Sequence, residues 1–148
     1  RSNRQWKMVG KSKPATSSEK ERMALIKEQA WCVPCILNHT PDRPVTTIHH
    51  PVSGSKRTGQ TMGLCPWHHQ AQLASHKDRF EMQRIFGPSL ALGSKEYHEV
   101  WGSEEILVKL QDYLIELYLE FGPWRQYHLP KTVGREVRVR WQEMRGLR

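Results

Sequence analysis

The segment Val45-Thr46-Thr47-Ile48-His49-His50 and, after fourteen intervening residues, the segment Cys65-Pro66-Trp67-His68-His69 decide the fold of this chain. The first segment is short and rich in β-branched residues, which favours a strand. Residues 61–64 favour a second strand, and Pro66 suits the first position of a helix that we expect over residues 66–76. The pattern therefore predicts a unit of strand, loop, strand and helix (ββα).

All three cysteines of the chain lie close to this unit, and two of them form Cys32-Val33-Pro34-Cys35. The pairs Cys32-x2-Cys35 and Cys65-x2-His68 have the spacing with which a tight turn directs two side chains at one ion. Three cysteines cannot all pair as disulfides, and no export signal is visible, so zinc is favoured over a disulfide framework or a redox motif. We expect these four residues to hold a structural zinc ion that fastens the helix to the hairpin. Buried free cysteines beside a capping histidine are the alternative.

The other histidines of the unit are expected to point away from the four zinc ligands. His49 and His50 are adjacent on a strand, so their side chains point to opposite faces. His69 follows the zinc ligand His68, and one step along a helix turns a side chain by about 100°. The short helix could therefore serve two ions, one structural and one catalytic.

The chain around this unit has three predicted parts. Residues 1–16 read as a flexible basic arm, residues 17–122 as a folded domain, and residues 123–148 as a basic C-terminal tail. In the folded part, Ser18 and Glu21 fit a capping box for a helix that ends near Ala30. Ser103 caps the clearest helix, in which apolar residues recur at three- and four-residue steps as far as Phe121. The alternation over residues 135–141 fits a strand or a disordered segment.

The net charge is +8, and the basic residues concentrate in the two ends of the chain. Residues 1–13 carry five basic and no acidic side chains, and residues 131–148 carry six basic and two acidic ones. Such ends are expected to contact the phosphates of a nucleic acid. No apolar run approaches the length of a membrane span, and the first residues lack a secretory signal, so we expect a cytoplasmic protein without a membrane partner.

Three segments together resemble a known nuclease superfamily. They are Ile48-His49-His50, Gly63-Leu64-Cys65-Pro66-Trp67-His68-His69 and Gly102-Ser103-Glu104-Glu105-Ile106-Leu107, with Glu21 and the Cys32–Cys35 pair upstream. The chain resembles the HNH (ββα-metal) endonucleases, and among them the phage Ref-like, RecA-dependent nucleases, over roughly residues 18–120. The resemblance implies an α+β fold, a mainly helical domain around a zinc-stapled ββα-metal unit. The asparagine of the HNH name has no obvious counterpart here.

The resemblance also implies roles for the histidines. His49 and His69 would bind one divalent catalytic ion (Mg²⁺, Mn²⁺ or Zn²⁺), and His50 would be the general base. A third ligand could be His98 or His76. His76 is two helical turns beyond His69, about 10 Å along the axis, so His98, from a separate helix, is favoured.

The implied substrate is DNA, with a RecA filament as a further partner and no small-molecule substrate. The implied origin is a phage or prophage in a bacterial cytoplasm. Lys56, Arg57 and Lys77 flank the predicted site and are candidates for phosphate contact, with a solvated surface as the alternative. The competing function is a non-catalytic zinc-binding nucleic-acid-binding module, in which the histidines outside the zinc site are inert.

Overall fold

The computed structural model describes residues 14–50, 60–124 and 128–146, and within them the chain is mainly helical with one small sheet. In chain order the elements are α1 (Ser17–Gln29), α2 (Val33–Leu37), β1 (Thr47–His49), β2 (Met62–Leu64), α3 (Pro66–Gln70), α4 (Arg79–Phe86), a 3₁₀ turn (Leu90–Leu92), α5 (Ser94–Trp101), α6 (Glu104–Phe121) and α7 (Lys131–Met144). The predicted α+β class is confirmed. Most of the predicted basic arm lies outside the described residues.

The two strands form an antiparallel pair in which Thr47 faces Leu64 and His49 faces Met62. β2 is fully buried, whereas β1 is half-buried. Helix α3 begins directly after β2, with Pro66 in its first turn. The predicted order of strand, strand and helix is confirmed, although both strands are only three residues long.

Helix α6 supplies the largest share of the core. It packs against α1, β2 and α7, and its buried leucines recur at the predicted three- and four-residue steps: Leu107, Leu110, Leu114 and Leu117. The buried Gln111 side chain accepts a 2.9 Å hydrogen bond from the Gly63 backbone N–H, which ties β2 to the helix. None of the helices in the described ranges is long and apolar enough to cross a membrane.

Two of the predicted helix boundaries are wrong. The helix predicted over residues 66–76 ends at Gln70, because Ala71 adopts a left-handed conformation with φ 56° that closes the last turn. The first helix is capped by Thr16 and Glu19 rather than by Ser18 and Glu21. Both capping pairs have the same three-residue spacing, so sequence spacing alone does not separate them.

The C-terminal segment is helical, so both the strand and the disorder predicted for residues 135–141 are wrong. Val133, Val137 and Trp141 recur every four residues, and the first two are buried where α7 packs on α2 and α6. The Trp141 indole N–H donates a 2.7 Å hydrogen bond to the Trp101 carbonyl. Arg145 donates to the carbonyls of Val100 and Glu99 at 2.7 and 3.0 Å. The end of α7 therefore satisfies the last carbonyls of α5.

Replacing Gly63 tests how tightly the hairpin packs on α1. A Cβ atom at this position would overlap Ile26 Cγ2 and lie 2.8 Å from Val45 Cγ1. We expect Gly63→Ala to lower the free energy of unfolding by about 1–3 kcal/mol, because neither β-branched neighbour can move without disturbing the core. Urea denaturation measures the change. Gly93→Ala is the matched control, since a Cβ at Gly93 meets no atom within 4 Å. Equal stability of the two variants would contradict this packing.

Candidate functional site

Three cysteines and one histidine meet where α2, β2 and α3 come together. They are Cys32, Cys35, Cys65 and His68, and all four are buried. Cys32 and Cys65 occupy the N-cap positions of α2 and α3, so each short helix carries two of the side chains. The four ligand atoms lie within 4.8 Å of one another, and in the described ranges this is the one group of three or more ligand side chains gathered so closely.

The distances between these atoms fit a tetrahedral zinc ion. The His68 Nδ1 atom lies 3.5, 3.6 and 3.2 Å from the sulfurs of Cys32, Cys35 and Cys65. The sulfurs of Cys35 and Cys65 are 3.7 Å apart. With Zn–S near 2.3 Å and Zn–N near 2.1 Å, tetrahedral neighbours are separated by about 3.5–3.8 Å. The cluster could therefore hold a structural zinc ion, as the spacing of the residues predicts.

The surroundings of His68 favour the neutral form of its imidazole, with Nδ1 free to bind a metal ion. Its Nε2–H donates a 2.8 Å hydrogen bond to the Phe86 carbonyl, so Nδ1 presents a lone pair to the three sulfurs. Burial lowers the pKa of His68 to about 4, which keeps the imidazole neutral. Burial also raises the pKa of the Cys32 and Cys65 thiols, so a cation is needed to hold them as thiolates.

A second group of imidazoles lies at the end of the hairpin. The rings of His49 and His69 meet edge to face, with centroids 5.4 Å apart. The Thr47 hydroxyl lies 2.6 Å from His69 Nδ1 and fixes the orientation of that ring. Burial, and after it the nearby His49 and His50, lower the pKa of His69. The structure thus brings together the three histidines that the sequence predicts on the strand end and the helix.

Glu104, in the first turn of α6, joins His98 to this group. Its Oε1 atom lies 2.9 Å from His98 Nε2 and 3.6 Å from His49 Nε2. His98 Nδ1 lies 2.8 Å from the Gly102 carbonyl, to which it donates. Burial acts to raise the pKa of Glu104, but the two imidazoles outweigh it and the pKa is lowered. Glu104 is therefore a carboxylate held between two histidines.

Four further residues were predicted at or beside the catalytic site, and two of them lie within the described residues. His76 is exposed in the turn after α3 and makes no hydrogen bond, ion pair or ring contact with the histidine group in the part of the chain described. The predicted two helical turns between His69 and His76 do not exist, because α3 ends at Gln70. Lys56 and Arg57 lie outside the described residues. Lys77 is half-buried in the turn before α4.

Sequence reasoning missed Glu104 and Thr47 as members of this group. The sequence places Glu104 at the start of the helix capped by Ser103 and within the segment that carries the family resemblance, but not at the proposed metal site. A local signal exists, because Gly102 ends the helix that carries His98 and Glu104 begins the next helix two residues later. Thr47 precedes His49 by two residues on a strand, so the two share one face of the hairpin.

Removing one ligand tests the zinc site. We expect His68→Ala to contain one zinc per chain less than the parent protein. We also expect a melting temperature lower by more than about 10 °C, because a structural zinc ion contributes several kcal/mol to folding. Elemental analysis and thermal unfolding measure the two effects. The control is His128→Ala, at an exposed histidine. Parent-like zinc content in the His68 variant would contradict the site.

Comparison with known proteins gives one family. The model of the family described as recombination enhancement, RecA-dependent nuclease, matches residues 15–116, more than two thirds of the 148-residue chain. Neither the curated proteins nor the solved structures gave a match. The matched range includes the zinc cluster, the hairpin, His98 and Glu104, which are the features on which both candidate sites depend. The chain belongs to the recombination enhancement, RecA-dependent nuclease family.

Proposed function

We propose that this protein is a metal-dependent DNA endonuclease of the HNH type that hydrolyses phosphodiester bonds. Its family indicates a nuclease role in recombination and implies DNA as the substrate. The observation that carries the HNH proposal is one group of side chains beside the zinc-linked ββα unit. In that group His49 contacts the His69 ring, and the His98–Glu104 pair adjoins His49 at 3.6 Å.

His50 is the proposed general base. It follows β1 directly after His49, so the two side chains leave the backbone on opposite sides. It also lies near enough to His69 to lower the pKa of that imidazole. A neutral imidazole has a pKa suited to taking a proton from water near neutral pH. In this proposal His50 orients a water for in-line attack on phosphorus and accepts its proton.

His49, His69 and His98 are the proposed ligands of a divalent catalytic ion. The His49 Nε2 atom is buried and has no hydrogen-bond partner among the residues that the structure describes, and the lowered pKa of His69 favours the neutral form that a ligand needs. When bound, a divalent ion stabilises negative charge on the leaving 3′ oxygen. The ion would be Mg²⁺, Mn²⁺ or Zn²⁺, and the expected products carry 5′-phosphate and 3′-hydroxyl ends.

A basic groove offers a contact for the DNA backbone. It encloses about 400 Å³ between α2 and the start of α7, and Trp31, His39, Lys131, Arg135 and Arg138 are among its lining residues. Among the described residues no acidic side chain lines it, and Lys131, Arg135 and Arg138 have no carboxylate partner within ion-pair distance there. We propose that phosphates bind here and at Lys77, Lys56 and Arg57, and that a RecA filament presents the DNA.

Replacing His50 tests the catalytic proposal. We expect His50→Ala to reduce the rate of plasmid and oligonucleotide cleavage by a factor of about 10² or more, because the proton acceptor is lost. Zinc content and DNA affinity should remain those of the parent. The assay is run with and without EDTA and with and without a recombinase filament, since the family name suggests that partner.

His76→Ala is the matched control, because His76 is exposed and apart from the histidine group. This control should cleave as the parent does. Normal cleavage by the His50 variant would overturn the role of His50. A parent protein that binds DNA but never cleaves it, with any metal or filament, would favour the non-catalytic zinc module instead.

The basic groove gives a prediction for DNA affinity. We expect the double variant Lys131→Ala/Arg135→Ala to bind DNA more weakly at every sequence, because two phosphate contacts are lost. The slope of log K against log salt should fall in magnitude by about 2. Fluorescence anisotropy over a salt series measures both. Lys20→Ala/Lys27→Ala, on the exposed side of α1, removes the same charge elsewhere. An equal loss in both double variants would show that the groove has no special role.

A further inference from the structure

We propose that Glu104 is itself a ligand of the catalytic ion, bound through its carboxylate between His49 and His98. This inference rests on the proposed function, because it concerns the same ion. It adds an oxygen ligand to a set that sequence reasoning composed of imidazoles alone. Glu104 Oε1 lies 2.9 Å from His98 Nε2 and 3.6 Å from His49 Nε2.

The short contact with His98 requires a cation. His98 Nδ1 lies 2.8 Å from the Gly102 carbonyl, which can only accept, so Nδ1 carries the hydrogen. In the neutral imidazole the other nitrogen, Nε2, then has a lone pair that faces a carboxylate oxygen. Two lone pairs at this distance repel unless a proton or a metal ion lies between them. A backbone carbonyl that fixes the tautomer of a histidine in this way is the usual companion of a metal-bound imidazole.

Two further atoms favour a metal ion over a proton. His49 Nε2 and Glu104 Oε2 are both buried and lack a hydrogen-bond partner among the described residues. The 3.6 Å contact between His49 and Glu104 is too long for a hydrogen bond. Leaving such buried polar atoms unpaired is unfavourable. A proton on His98 would satisfy neither atom, whereas a metal ion beside Glu104 would offer a positive charge to both.

The two contacts at Glu104 Oε1 have roughly the separations of neighbouring metal ligands. At a metal–ligand distance of about 2.1 Å, neighbouring ligands lie about 3.0 Å apart in an octahedron and about 3.4 Å apart in a tetrahedron. The observed 2.9 and 3.6 Å bracket these values. The carboxylate also affects which metal ion the ligand set favours. Imidazoles alone favour zinc or nickel, while an added carboxylate oxygen suits Mg²⁺ or Mn²⁺.

Helix α6 holds the carboxylate in place. Ser103 caps the helix by accepting from the Ile106 N–H, and Glu104 is the first residue after the cap. The buried Leu107 and Leu110 anchor the same end of the helix in the core. A ligand on such a rigid element keeps its geometry when the ion is absent. The neighbouring Glu105 is exposed, so it provides a control with the same charge at nearly the same place.

The experiment is a titration of the zinc-loaded full chain with Mn²⁺ in the absence of DNA, followed by electron paramagnetic resonance of the free ion and by calorimetry. We expect Glu104→Gln to bind Mn²⁺ at least about tenfold more weakly than the parent. Glu105→Gln should bind as the parent does. Glu104→Asp is a second variant that keeps the charge but shortens the reach, and we expect it to recover part of the lost affinity. Zinc content and melting temperature verify that each variant is folded.

The outcomes separate this inference from the proposed function. Parent-like Mn²⁺ affinity in a folded Glu104→Gln, or no Mn²⁺ binding by the parent, would overturn the ligand role and leave Glu104 as a hydrogen-bond partner of His98. If Mn²⁺ binding depends on Glu104 but no condition yields DNA cleavage, the metal site stands and the nuclease proposal fails. If cleavage depends on His50 while Glu104→Gln keeps its Mn²⁺ affinity, the nuclease proposal stands and this inference fails.

Discussion

The contact among Cys32, Cys35, Cys65 and His68 is the constraint on which the arrangement of this protein depends. It joins two short helices, α2 and α3, of five residues each, which are too short to be stable alone. A zinc ion bound there would compensate for a sheet of only two three-residue strands. Because α3 is fixed at this point, the direction of every side chain on it is fixed as well.

That fixed direction separates two kinds of chemistry on neighbouring residues. His68 is fully buried among sulfurs, whereas His69 is half-buried beside Thr47 and His49. One helical step accounts for the difference, because it rotates the side chain by about 100°. A closed ligand set suits a structural ion, and a set with exposed sides suits an ion that must meet a substrate. The adjacent pair thus links the part that holds the fold to the part that we propose performs catalysis.

The sequence predicted those features that depend on local spacing. The two-residue gaps identify the zinc cluster, and the leucine periodicity identifies α6, because both patterns repeat at distances set by the backbone. The end of α3 was not predictable, because Ala71 carries no signal for a left-handed conformation. The C-terminal helix was missed because Val137, Val139 and Trp141 alternate, while burial follows Val133 and Val137 four residues apart. Glu104 was missed because one of its partners, His49, comes from β1, which only tertiary structure brings near.

Hydrogen bonds tie the end of α7 to the last carbonyls of α5, so α7 belongs to the same folded unit. The match to the family model ends at residue 116, but Trp141 and Arg145 lie beyond it and bond to the carbonyls of Trp101, Val100 and Glu99. These carbonyls close the helix that carries His98. The folded unit of this chain therefore extends beyond the matched range, and α7 supports the helix that carries His98.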